Sequence, residues 1–104
     1  MTTKLTDKNF KKETDEGVVL IDFWATWCPP CKMQGPVIEQ LDAEMGDKVK
    51  FAKLDVDANP ETATAFRIMS IPTLIVKKDG KVVEQMVGLR MKDQLATVLK
   101  QYVD

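Results

Sequence analysis

Apolar residues fall along this 104-residue chain in two periods, and the changes from one to the other mark its elements. Val18, Val19, Leu20, Ile21, Asp22, Phe23, Trp24 and Ala25 form a nearly unbroken β-branched and aromatic run after a turn at Glu16-Gly17. Such a run predicts a central strand covered on both faces, the kind found in parallel or mixed sheets. From Pro29-Pro30 onward the spacing becomes helical, with Met33, Val37, Ile38, Leu41 and Met45 recurring until Gly46. A helix is therefore expected there, with proline in its first turn and glycine at its end. Pro36 should kink it, because its ring clashes with the preceding turn and it lacks an N–H.

Val49 to Val56 predicts the next strand, and Pro60 to Phe66 a short helix with Asn59 as N-cap. Thr73 to Val76 and Val82 to Val87 flank Lys78-Asp79-Gly80-Lys81, which predicts a hairpin. A last amphipathic helix is expected from about Met91 to Tyr102, with Leu95, Val98, Leu99 and Tyr102 on one stripe. Asp7 to Glu13 reads as a short helix, preceded by a short strand near Lys4 to Thr6. A βαβ unit with a right-handed crossover is thus followed by a hairpin and a helix. The expected architecture is an α/β fold, a three-layer α/β/α sandwich whose mixed sheet of four to five strands is flanked by about four helices. The length places all of it, residues 1–104, in a single domain.

Composition narrows the function. Fifteen basic and sixteen acidic side chains leave a formal charge of −1, without the basic excess of a nucleic-acid binder. No apolar run approaches the roughly 18 residues of a membrane span. Met1 to Asp7 lack the apolar stretch of a secretory signal, so a cytoplasmic protein is expected unless a leader has been removed. Histidine is absent, which excludes Ser-His-Asp and Cys-His catalysis and imidazole metal sites. The chemistry then falls to the only two cysteines, Cys28 and Cys31.

Trp27-Cys28-Pro29-Pro30-Cys31-Lys32 stands where the buried strand ends and the helix begins, a C-x-x-C setting that reads as redox-active. A thiolate attacks a disulfide, and a helix N-terminus lowers the thiol pKa through its dipole and free N–H groups. Cys28 is then the nucleophile, and Cys31, one turn in and less exposed, the resolving thiol. A tetrahedral zinc site would need more ligands than this chain holds, leaving only a metal bridging two copies. A structural disulfide closing so short a loop would constrain little.

The chain resembles the thioredoxin family from end to end. The resemblance is carried by Val19 to Cys28, then Pro30-Cys31-Lys32-Met33, Pro36, Lys53-Leu54-Asp55-Val56-Asp57, Ile68, Ile71-Pro72-Thr73-Leu74, Asp79-Gly80 and Gly88. It implies a monomeric general protein-disulfide reductase without a bound cofactor or metal, acting on disulfide-containing proteins and recharged by an NADPH-dependent thioredoxin reductase. One departure stands out: Pro29 occupies the position where the family usually has glycine. It removes an N–H near Cys28, leaving that of Cys31 as the nearest backbone donor, and it stiffens the turn. Fewer donors weaken the thiolate while stiffness favours either redox form, so the sequence leaves the sign of the change in potential open. A thiol oxidant or isomerase, or an interaction module with incidental cysteines, are the rival readings.

Asp22 lies in the apolar strand, where burial should raise its pKa and suit it to act as general base for Cys31. Lys53 on the next strand either offsets that charge or is merely solvated. The resemblance implies a cis Ile71-Pro72 bond beside the cysteines, with the Ile71 backbone free to pair with an extended substrate. Trp27, Ile71, Pro72 and Gly88 would line that groove, Trp27 partly exposed and Trp24 in the core. Met33 and Met69 are expected to fill the core rather than form a docking surface.

Overall fold

The apolar run from Val18 becomes the middle of a five-stranded sheet. In the computed structural model, which describes residues 2–103, the order is β1 (Thr3–Lys4), α1 (Phe10–Thr14), β2 (Val18–Trp24), α2 (Pro29–Met45), β3 (Lys50–Asp55), α3 (Pro60–Ala65), β4 (Thr73–Lys78), β5 (Lys81–Val87) and α4 (Lys92–Lys100). The strands lie in the order β1-β3-β2-β4-β5. β3 runs parallel to β1 and β2, and β4 antiparallel to β2 and β5, giving the mixed sheet that was expected.

Alternation along β2 feeds two cores. Val18 and Leu20 pack with Ile38 and Leu41 of α2 and Leu95 and Leu99 of α4. Val19, Ile21 and Phe23 face the other way, toward Phe10 of α1 and toward Phe66. Helices on both faces make three layers, and each fully buried leucine or phenylalanine contributes roughly 1.5–3 kcal/mol.

The Asp79-Gly80 turn forms as the sequence requires, with φ of 49° and 86°, the double positive φ of a tight two-residue hairpin. β5 carries an irregularity opposite Val76/Lys77, where Val83 is passed over in the pairing. Helix α2 continues through Pro36. Gly46 ends it in a right-handed conformation, its N–H on the Asp42 carbonyl, rather than in the left-handed one typical of such glycines.

α3 is not capped by the residue that precedes it. Asn59 precedes the helix but its side chain makes no capping bond. The cap comes from Asp7, whose carboxylate accepts from the Thr62 N–H at 2.8 Å, the Thr62 hydroxyl at 2.6 Å and the Glu61 N–H at 3.3 Å. The hydrogen bond from the Thr62 side chain, foremost, holds the Asp7 pKa below its ordinary value. Asn59 instead accepts from the Asp7 N–H. The two residues thus tie together segments 52 positions apart in sequence.

At its other end α3 closes with two reversed hydrogen bonds, Arg67 N–H to the Thr64 carbonyl and Ile68 N–H to the Ala63 carbonyl, both 3.0 Å. In this Schellman closure the left-handed residue is normally glycine; here it is Arg67, at φ 54°. A side chain there costs about 1 kcal/mol. Arg67→Gly is accordingly expected to raise stability by about 0.5–1 kcal/mol. Urea denaturation measures it, and an unchanged or lower midpoint would refute the strain.

Candidate active site

β2 ends against the helix that follows it, and the cysteines stand at that junction, Cys28 just before the helix and Cys31 in its first turn. Cys28 is extended (φ −99°, ψ 107°) and caps α2, whose first two residues are Pro29 and Pro30. Proline fits these positions because N–H groups in a helix's first turn have no intrahelical partner. Cys28 and Cys31 form a disulfide, their Cα atoms 5.2 Å apart. The Cys31 N–H donates to the Cys28 Sγ at 3.3 Å, the donor that the two prolines leave in place. Cys28 is 3 % exposed and Cys31 5 %, so the expected difference in exposure is absent. What separates the sulfurs is electrostatic: Cys28 receives the N–H and stands at the helix N-terminus.

The Ile71-Pro72 bond is cis. The Ile71 carbonyl oxygen lies 3.7 Å from the Cys28 Sγ, a contact rather than a hydrogen bond because a disulfide sulfur carries no proton. Among the described residues the Ile71 N–H and carbonyl have no backbone partner. Pro72 is fastened behind them, its carbonyl accepting from the Gly88 N–H at 2.8 Å. Gly88 holds a φ of 93°, open to glycine and rarely to other residues.

Trp27 is 65 % exposed, its indole Nε1 donating to Asp57 at 2.7 Å. It borders a mostly apolar cleft of about 340 Å³ with Val56, Ile68, Met69, Ser70 and Ile71. Met69 is 93 % exposed and Met33 61 %, which overturns the expectation that they fill the core. Trp24 is half-buried rather than in the core: it packs on the cysteines, with the Lys53 ammonium 5.7 Å from its ring centroid.

Asp22 and Lys53 are partners across the β2–β3 ladder, on the face that α2 covers. Asp22 is buried, and its Oδ1 has no hydrogen-bond partner among the described residues. Burial pushes its pKa up to about 7, an effect that the Lys53 charge partly offsets. Lys53 is exposed and makes no ion pair among the described residues. Asp22, Trp24, Cys31, Lys32, Gly35 and Lys53 share a cleft of about 190 Å³, which brings the carboxyl and the inner cysteine to one solvent-reachable space.

Gln34 was not anticipated. It is wholly buried, its amide donating to the Arg90 carbonyl at 2.9 Å and accepting from the Arg90 N–H at 2.8 Å. It thereby fastens α2 to the segment after Gly88. The signal was present: Cys31, Gln34, Ile38 and Leu41 follow the helical inward stripe.

Comparison with known proteins agrees with this geometry. A family model described as thioredoxin matches residues 1–101. A thioredoxin of Listeria monocytogenes is 53% identical over 103 residues, covering 99% of this chain and 100% of that protein. A thioredoxin of Bacillus subtilis is 57% identical over 100 residues, and one of Staphylococcus aureus 52%, each covering 96% of both chains.

Proposed function

The chain belongs to the thioredoxin family and is a thiol–disulfide oxidoreductase, and from that premise we propose that it works as a general protein-disulfide reductase recharged by an NADPH-dependent thioredoxin reductase. The observation that carries the direction is that, among the described residues, one backbone N–H, that of Cys31, reaches the Cys28 sulfur. Disulfide oxidants owe their power to a strongly stabilised reduced form. Here Pro29 and Pro30 offer no donor and the chain has no histidine, so the thiolate is held only modestly. A modestly stabilised dithiol readily gives up its electrons.

In the reduced protein the Cys28 thiolate attacks one sulfur of a target disulfide, whose other sulfur leaves as a thiolate. Cys31 loses its proton to Asp22 through the shared cleft and attacks the Cys28 sulfur. The target departs with both cysteines reduced, and the Cys28–Cys31 disulfide remains. Two electrons from the reductase reopen it. Lys53 tempers the charge on Asp22, while Trp27, Ile71, Pro72 and Gly88 form the docking groove; Ile71 supplies free backbone groups to an extended segment. This activity belongs in a reducing compartment such as the cytoplasm, and one domain, residues 1–104, performs it as a monomer.

Equilibration with a defined dithiol buffer, followed by the fluorescence of Trp24 and Trp27, measures the reduction potential. A value below the cytosolic glutathione poise, roughly −220 to −260 mV, is expected. A potential well above that range would overturn the reductase reading in favour of a disulfide donor.

A further inference from the structure

The cleft beside the disulfide does not stop at Ile71. Val56, Ile68 and Met69 also line a second, mostly apolar cleft of about 470 Å³, which reaches Pro60, Ala63 and Arg67 around the end of α3. Met69, almost entirely exposed, stands where the two meet. Arg67 is set apart twice over. It occupies a left-handed position where glycine would be at ease, and its guanidinium makes no ion pair among the described residues. Strain kept at a residue beside a cleft points to work done by its side chain.

We propose that the second cleft extends the docking surface for protein disulfide substrates and that Arg67 selects targets with a carboxylate near the reactive disulfide. The proposal deepens the reductase reading and rests on it. Any target that brings a sulfur to Cys28 must lay its chain across Ile71. Continued over Met69, that chain seats an apolar side chain against Val56 and Ile68 and meets an uncompensated positive charge. A glutamate or aspartate in the target answers that charge.

The test uses peptides holding one internal disulfide, with a single glutamate stepped outward from it on either side, and matched glutamine peptides. At the best position kcat/KM is expected to favour glutamate about 2- to 5-fold, less in high salt, as for an exposed ion pair. Arg67→Gly should abolish the preference, Arg67→Lys keep it, and Arg67→Glu transfer it to a lysine peptide. Absence of preference at every position in the unsubstituted protein overturns the proposal, as does its survival in Arg67→Gly. An Arg67→Gly defect confined to recharging by the reductase also overturns it, assigning the cleft to that partner. Failure to reduce any peptide, glutamine or glutamate, sinks the reductase reading itself.

Discussion

Cys31→Ser is expected to turn the protein from a catalyst into a trap. The Cys28 thiolate can still open a target disulfide, but with serine at position 31 nothing nearby expels the target. Turnover should fall by roughly 10³-fold or more, while a covalent adduct through Cys28 accumulates and runs as a larger species on a non-reducing gel. Cys28→Ser should lose turnover as completely and trap nothing, because the remaining thiol lacks the N–H that Cys31 donates to Cys28. Trapping by Cys28→Ser alone would reverse the two roles. Replacing both cysteines addresses the wider rival: a reductase is lost, whereas an interaction module would still hold its partner.

Asp22→Asn should separate stability from catalysis. With the folded pKa near 7 and an ordinary value of 3.8, the folded state keeps a proton between those limits that the unfolded chain has given up. Stability must then fall as pH rises from about 4 to 7 and level off above. Asparagine has no charge to bury, so the variant is expected to be more stable than the parent at pH 8, by roughly 2–4 kcal/mol, with the gap closing toward pH 4. Urea titrations at the two pH values measure this, and a gap that does not change with pH would rule out a buried ionisation. The same substitution should slow release of the target by about 10- to 100-fold in single-turnover experiments, as expected for loss of a general base. Unchanged release would remove Asp22 from the mechanism.

Much of this architecture is legible in the sequence because its signals are local. The two-sided burial of β2, the helix after the cysteines and the Asp79-Gly80 hairpin each follow from contiguous residues whose chemistry admits few alternatives. The active pair is legible for the same reason, since Cys28, the prolines and Cys31 lie within one helical turn. What escaped depends on distant segments meeting. Nothing near Pro60 announces that Asp7 will cap α3, and nothing near Gln34 announces the Arg90 backbone. Arg67 hides differently: glycine marks a left-handed helix end, and an arginine there gives no warning. Met33 and Met69 were misplaced because methionine serves cores and contact surfaces equally well. Only the tertiary setting separates those uses.

The outer strands of the sheet bear on how the protein behaves when concentrated. A strand with a free side offers its backbone to any neighbour, and unguarded edges seed cross-β assembly. On one side β1 is two residues long, too little to serve as a template. On the other, β5 runs for seven residues with Val82 and Val87 exposed, yet the slipped register at Val83 breaks its regularity. Lys81 and Glu84 add charges that a stacked copy would set against themselves. The irregularity in the β4–β5 ladder thus acts as a guard against fibrils, and ironing it out would be felt first as lost solubility.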